Sequence, residues 1–519
     1  MSHRIRARRA ASNDPPWIER DPAVLASFLS DAAHVPGGFA SGVATPRDEA
    51  EVAALVASAD CVLPIGAQSS LTGGATPRGE VVLSTRALTS IAPPANCTVR
   101  VGAGVPLATL QRSVAAAGFY YPPVPTFDGA FVGGTIATNA AGAATFKYGS
   151  TRAWVSAITV VLASGDVLDV QRGRVTASRD GWFEIESTVG PVAQVPVPTY
   201  AMPATAKLSA GYFARAEMDL IDLFIGSEGT LGIIVDAELR LTQRPRRLVA
   251  LVRCDGDAQA VALTGALRDS GARDVPLSRA FEVSAIEYMD ARALRAVPDE
   301  AFARAQVPRP AAGSVLLLVQ VEVGPDDEAA LDRLQAALAA AGVADDPVVA
   351  APDDDRGADR LFALREAVPA SINALVAAAK ARTHPEIEKT AGDPVVPFPR
   401  LAESIALYRA AFETRGLDYA IWGHFSDGNL HPNLIPRTLE DVHRGRDAVL
   451  EIARGVIGLG GAPLAEHGVG RSPLKQRLLR ELYGETGIAQ MRAVKRALDP
   501  DGKLSPGVLL SGIGDIVAP

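Results

Sequence analysis

A chain of 519 residues is too long for one hydrophobic core and sets an expectation of about three structural units. With 48% hydrophobic and 21% charged residues it is globular rather than disordered. Its net charge of −8 argues against nucleic acid as a partner, so a small anionic substrate needs local positive charge at its site.

The cysteines Cys61, Cys97 and Cys254 are odd in number and far apart, which fits a reducing compartment better than a disulfide frame. No run of 18 apolar residues occurs, so no membrane-spanning segment is expected. The expected place is the cytoplasm, free or peripheral at the inner face of the membrane. Residues 1–35 read as an N-terminal segment. Arg4, Arg6, Arg8 and Arg9 are followed by Asn13, Asp14, Pro15 and Pro16 where a signal peptide needs apolar residues, so a frayed basic terminus is expected. A presequence is the alternative, opposed by the early acids Asp14, Glu19 and Asp21.

TPRDEAEVAALVASA predicts a helix with Thr45 as N-cap, Pro46 in the first turn and Asp48 near the exposed amides. A strand over 61–65 opens into GAQSSLTGGA, whose small residues can turn several backbone N–H groups toward one anion. Read alone, this is equally a surface loop rich in Gly and Ser. Strands over 81–83 and 98–102 and a helix from Pro106 follow. Between Pro122 and Arg152 the stretch 133–144 is almost all small residues, so a flat or bulky group can lie against bare backbone; a packed Ala/Gly core is the alternative. The hairpin AITVVLASGDVLDV, the segment AKLSAGYF and then DLFIGSEGTLGIIVDAELRL complete this half, with Gly226, Gly229 and Gly232 again unadorned. Neither GxGxxG after a strand nor GxxxxGK[ST] occurs, which argues against a Rossmann or P-loop site.

Near 243–247 the pattern changes to strand and long helix in alternation, an α+β unit: LVALVRC, DAQAVALTGALRDSG, SVLLLVQVEV, DEAALDRLQAALAAAG. A helix over 359–378 carries Arg365, and a loop through Lys389 leads to the strand-like DPVVPF. After a helix over 401–415 comes WGHFSDGNLHPN. Asp427-Gly428 suits a two-residue type I′ turn, which sets His424 opposite His431 and Trp422 opposite Asn433. His424, His431 and Asn433 then share one face, where the two imidazole nitrogens can grip a divalent cation. Glu466, just before His467 in AEHGVG, supplies a third ligand and leaves coordination positions open, as catalytic sites do. An ordinary hairpin with two solvated histidines is the alternative. The chain ends with a basic helix in MRAVKRALDPDGKLSPG.

PIGAQSSLTGG, PTFDGAFVGGTIATNAAG, YGSTR, AGYF and DLFIGSEGTLGI together resemble the FAD-binding domain of the vanillyl-alcohol oxidase and p-cresol methylhydroxylase superfamily. GHFSDGNLHPN, EHGVG and RALDPDGKLSPG resemble its branch of D-lactate dehydrogenase, D-2-hydroxyglutarate dehydrogenase and glycolate oxidase large subunit. The resemblance implies an α+β protein: a two-subdomain FAD-binding domain over 36–245, a cap over 246–480 built as an antiparallel sheet with helices on one face, and a C-terminal helical segment over 481–519 returning to the flavin. It implies FAD contacts from Pro64, Ile65, Gly66, Ala67, Gln68, Ser69, Ser70, Thr72 and Gly73, from Pro125, Thr126, Gly133, Gly134, Ala137, Thr138, Asn139, Gly142, Tyr148 and Gly149, and from Glu228, Gly229, Gly232, Ile233 and Ile234. Some relatives tie the flavin to a histidine; residues 60–150 hold none, so the FAD is expected to be non-covalent.

On the same pattern His424, His431 and Glu466 match ligands of a divalent metal, Zn or Mn, and Asn433 a nearby polar contact. His467 matches the proton acceptor, Arg365 the group that receives the substrate carboxylate, and Lys389 a second cation. Read without the resemblance, Arg365 is a helix-face ion pair, Lys389 a solvated loop charge and His467 a seat for Glu466. The implied reaction oxidises a D-2-hydroxy acid to its 2-oxo acid, with metal-assisted proton removal and hydride transfer to flavin N5. Electrons pass to a separate acceptor: a quinone, a cytochrome, an electron-transfer flavoprotein or an iron–sulfur protein. A homodimer is compatible with this. The alternative is a flavoenzyme of the same superfamily acting on another alcohol or a glycerone phosphate without a metal. Three departures stand out: Ser505 precedes Pro506-Gly507 where the family has Asn, the spacing from Lys389 to Pro397 is long, and Pro369 replaces a hydroxyl residue found in enzymes for dicarboxylic substrates.

Overall fold

The structure, a computed structural model, describes residues 2–11, 14–123, 125–269 and 281–511. Asn13, Val124 and the end of the helix expected in DAQAVALTGALRDSG lie outside them. In the first half, Gly42–Ala44, Val81–Ser84 and Val62–Ile65 pair in parallel, with Ile18–Glu19 antiparallel at one edge. A second, antiparallel sheet runs in the order Thr98–Gly102, Ile233–Arg240, Val155–Val161, Val167–Gln171. The helix expected from Thr45 is Glu49–Ser58, capped by Asp48, whose side chain accepts from the Glu51 N–H. The basic terminus is not frayed. Arg4–Arg6 pairs in parallel with Trp182–Glu186, and Arg4, Arg6 and Arg8 find Glu184, Glu186, Glu49 and Asp169. Those acids are distant in sequence, so nothing local announced the strand.

The second half is built on a six-stranded antiparallel sheet in the order Val348–Ala350, Arg246–Cys254, Val315–Val323, Phe281–Met289, Tyr419–His424, Asn429–Leu434. Helices cover both of its faces, not one. Leu248, Ala250, Val252 and Cys254 pack under Asp257–Asp269, Asp327–Ala340, Leu401–Glu413 and Leu439–Gly458. Val249 and Leu251 pack instead with Leu294, Phe302, Leu361, Leu364 and Val368, from Ala291–Ala296, Asp299–Ala305 and Asp355–Arg382. The unbroken apolar run of SVLLLVQVEV was the signal: every residue of Val315–Val323 is buried, as a strand covered on both sides requires.

DPVVPF is not a strand. Its prolines lack N–H donors, and only bridges from Asp393 to Leu464 and from Val395 to Asn429 and Ala462 form. Asp355–Arg382 is long and apolar enough to span a membrane, yet Leu361, Leu364, Val368 and Ile372 lie in the sheet's core. Pro473–Leu498 leaves the cap and buries Leu478, Leu479, Met491 and Val494 in the core of the first half.

Asp290 caps Ala291–Ala296 by accepting the Ala293 N–H at 2.6 Å, while its buried Oδ2 has no partner. Burial raises this carboxyl to about 6 against the ordinary 3.8. A folded pKa above the unfolded one means that the contribution of this carboxyl to stability is fully present below about pH 4 and is lost as pH rises through 6. Asp290→Asn keeps the cap and removes the charge. It is expected to unfold later at pH 7 by on the order of 2 kcal/mol, with a flatter profile between pH 4 and 6. An Asn variant less stable than the parent at pH 7 would contradict this.

Candidate functional site

The hairpin holds its histidines in a different register from the one expected. Trp422 faces His431, His424 faces Asn429, and Asn433 faces Ala420. The turn is longer than two residues: a 3₁₀ turn over Phe425–Asp427 and then Gly428 in the left-handed region (φ 79°, ψ 14°). Gly428 is required there, because a Cβ would stand 2.1 Å from the Val396 carbonyl oxygen. A register changed by an even number of residues keeps every side chain on its face. His424 and His431 therefore still converge, diagonally rather than directly, with ring centroids 5.5 Å apart.

Glu466 Oε1 is the point of convergence. His424 Nε2 and His431 Nε2 each lie 3.3 Å from it, and His467 Nε2 lies 3.6 Å away. Two donors on one tetrahedral ion at 2.0–2.2 Å are about 3.4 Å apart, so these separations fit a shared cation. Asp393, His431, Glu466 and His467 also form a group whose donor atoms all lie within 4.8 Å of one another.

The groups that hold this arrangement were not singled out in the sequence. Glu287 stands directly across from His424 on the neighbouring strand, and its Oε1 is 2.5 Å from His424 Nδ1. Asp393 Oδ2 accepts the main-chain N–H groups of Ala465, Glu466 and His467. The Asp393 oxygens also lie 3.5 Å from His431 Nδ1 and 3.4 Å from His467 Nδ1, so each ring presents Nε2 to Glu466. Lys207 reaches in from the first half to Glu466 and Asp427. Lys475 is buried nearby with no partner for its Nζ. The signal available in sequence was only a charged residue inside otherwise apolar or Pro-rich stretches.

The buried carboxylates of Glu287, Asp393 and Asp427 and the largely covered one of Glu466 share three neighbouring cations, Lys207, Arg365 and Lys475. A protonated imidazole or a divalent ion would supply the fourth positive charge. Burial alone would lower the His424 pKa, but Glu287 outweighs it and raises it to about 9. Burial lowers His467 to about 4 against the opposing pull of Asp393.

Arg365 descends on the same face of the sheet, and its Nε and Nη2 sit 2.7 and 2.6 Å from Glu287 Oε2. The ion-pair reading of Arg365 is thus part of the answer, with a partner on a strand rather than on its own helix. Lys389 keeps exposed surface, while burial and then Lys475 lower its pKa. Asn433 donates to the His431 carbonyl at 2.8 Å and leaves a buried Oδ1 without a donor.

The glycine-rich loops abut this cluster. Among the described residues no acceptor meets the main-chain N–H of Ala67, Gln68, Ser69, Ser70 or Leu71, an anion-binding run of donors. A Cβ on Gly134 would meet nothing within 4 Å, so bare backbone faces open space there, whereas one on Gly133 would press on Ala103 at 2.7 Å. These features suit a pyrophosphate and a flat ring. Several side chains expected to touch the cofactor also hydrogen-bond the protein. Gln68 donates to the Ser27 and Ser30 carbonyls, Asn139 donates to the Leu208 carbonyl, and Tyr148 donates to Glu322 of the cap sheet at 2.6 Å. Glu228 accepts the Val469 and Gly470 N–H groups at 2.8 and 2.7 Å, joining the glycine-rich loop over 226–232 to the loop of Glu466. Ser505, at φ 48°, hydrogen-bonds the Gly229 carbonyl at 3.1 Å and occupies the left-handed region that Asn tolerates better.

Residues 40–171 match the family of FAD binding domains, and residues 266–509 match the C-terminal domain of FAD linked oxidases. The chain is 28% identical over 458 residues to glycolate oxidase subunit GlcD of Bacillus subtilis, covering 87% of this chain and 84% of that protein. It is 29% identical over 486 residues to D-2-hydroxyglutarate dehydrogenase of Xanthomonas citri, covering 90% and 88%. It is also 29% identical over 475 residues to D-lactate dehydrogenase of Archaeoglobus fulgidus, covering 90% of each. In fold it is similar to a solved alkyldihydroxyacetonephosphate synthase, with a TM-score of 0.63 at 14% identity over 96% of this chain and 87% of that one.

Proposed function

Because the chain belongs to the FAD-linked oxidases of the vanillyl-alcohol oxidase and p-cresol methylhydroxylase superfamily, in the D-lactate dehydrogenase, D-2-hydroxyglutarate dehydrogenase and glycolate oxidase branch, we propose that it oxidises a D-2-hydroxy acid to the 2-oxo acid. The observation that carries this reading is the gathering of His424, His431 and His467 Nε2 around Glu466 Oε1, at 3.3, 3.3 and 3.6 Å, on a loop bound to Glu228 of the flavin side. When bound, FAD supplies a two-electron acceptor, and a divalent ion supplies a Lewis acid that eases loss of the substrate's hydroxyl proton.

His424, His431 and Glu466 would hold that ion. His467, neutral at pH 7 and tethered by Asp393 at 3.4 Å, accepts the hydroxyl proton at Nε2. Lys389, which keeps exposed surface, draws in the substrate carboxylate. Arg365 offers that carboxylate only the Nη1 side of a guanidinium otherwise committed to Glu287. Asn433 Oδ1 is a buried acceptor free to orient a substrate donor. The Ala67–Leu71 run cradles the pyrophosphate, and electrons leave to a separate protein or quinone acceptor.

The test is anaerobic mixing of the purified flavoprotein with both enantiomers of lactate, 2-hydroxyglutarate and malate, with glycolate, and with bulkier 2-hydroxy acids. Bleaching of the flavin by one D-acid, lost after chelator treatment and restored by Zn²⁺ or Mn²⁺, is the expected result. Full bleaching by metal-stripped protein would remove the metal from the reading, and no bleaching by any acid would remove the substrate class.

A further inference from the structure

The two oxygens of Glu466 face different worlds. Oε1 meets the three imidazoles, whereas Oε2 lies 3.0 Å from the Lys207 ammonium. The same ammonium stands 3.1 Å from Asp427 Oδ2, and its side chain is wholly buried. Burying an ammonium is costly unless charged partners surround it, so Lys207 is held in place by these two acids as firmly as it holds them.

Its backbone is tied to the flavin side. Asn139 donates to the Leu208 carbonyl at 3.2 Å, Ser209 Oγ donates to the Thr138 carbonyl at 3.1 Å, and the Ser209 N–H donates to Leu464 at 3.3 Å. Asp427 sits in the turn of the hairpin that carries His424 and His431, and its Oδ1 accepts the Asn429 N–H at 3.2 Å. One ammonium thereby joins three segments: the hairpin, the Glu466 loop and the flavin-side run that includes Thr138 and Asn139.

We propose that Lys207 is a positioning residue of the metal centre: it occupies Glu466 Oε2, confines that carboxylate to binding the cation through Oε1 alone, and so keeps a coordination position open for substrate. The proposal rests on the reading of Glu466 as a metal ligand. A carboxylate with both oxygens free can close on a cation with both, which raises the coordination number and removes the open position.

The experiment loads the full-length flavoprotein with Co²⁺ and compares the wild type with Lys207→Met, Lys207→Arg and the charge-balanced Lys207→Met/Asp427→Asn. The visible cobalt band is expected to weaken in both Met variants, as it does when four-coordinate cobalt gains a ligand, and to be retained in Lys207→Arg. In the Met variants kcat is expected to fall on the order of 10- to 100-fold with little change in KM. A purely structural lysine would lower Tm and leave the spectrum of the folded protein unaltered. The double variant tests the point even if Lys207→Met fails to fold. A wild type that takes up no cobalt overturns both the metal reading and this proposal. A wild-type cobalt band that persists unchanged in the Met variants overturns this proposal alone.

Discussion

His431→Ala is expected to abolish reduction of the flavin by substrate while leaving the flavin bound. The imidazole lies 3.3 Å from Glu466 Oε1 and stacks on His467 at 5.1 Å, so on the proposed reading its loss removes one cation donor and one wall of the proton acceptor. Losing about 4 kcal/mol of Lewis-acid assistance corresponds to a rate lower by a factor of about a thousand. The fold should persist, because Asp393 retains the Asn429 amide and the N–H groups of Ala465, Glu466 and His467. The unpaired amides of Ala67–Leu71 lie on another loop and are not altered. Flavin absorbance, flavin content after gel filtration and anaerobic reduction by substrate and by dithionite check this together. Dithionite should bleach the variant and substrate should not. Reduction by substrate at the wild-type rate would exclude His431 from the chemistry.

Arg365→Met is expected to cost about 3–5 kcal/mol of stability, because it leaves the Glu287 carboxylate buried with His424 as its one remaining charged partner among the described residues. Arg365 is 6% exposed, Glu287 2% and His424 1%, so water cannot replace the lost partner. Burial works against ionisation of Glu287, yet Arg365 and His424 hold it well below the usual carboxylate range. Glu287 Oε1 also fixes His424 Nδ1 at 2.5 Å, so the variant should lose cation affinity as well as Tm. A residue that only received substrate would raise KM and leave Tm where it was. Adding Glu287→Gln removes the stranded charge and should recover part of the stability without restoring activity. Thermal unfolding of the single and double variants, followed by flavin fluorescence, separates these outcomes. An Arg365→Met protein as stable as the wild type would show that the pair does not hold the site.

Much of the fold could be read from local pattern. The strand Thr98–Gly102 occurs where its apolar residues predict it, and Leu107–Ala115 begins after Pro106 as expected. The hairpin is instructive in both directions. Asp427-Gly428 announced a turn, and Gly428 does take a positive φ, but the turn type followed from contacts that no local rule contains: the Val396 backbone pressed against Gly428 and Lys207 drawing Asp427 inward. The paired residues changed while the shared face survived, because the displacement was even.

By itself the sequence determined the glycine-rich loops, the strand and helix succession and the identity of the imidazoles, since these depend on backbone freedom, periodicity and rare side chains within short windows. Only the tertiary structure decided that helices cover both faces of the cap sheet, that Arg365 answers to Glu287, and that Asp393 and Lys207 set the orientation of Glu466 and its histidines. A charged side chain takes its meaning from its counter-charge, and Lys207 meets Glu466 across 259 positions of chain. No window of sequence spans that distance; burial of both partners in one low-dielectric pocket is what couples them.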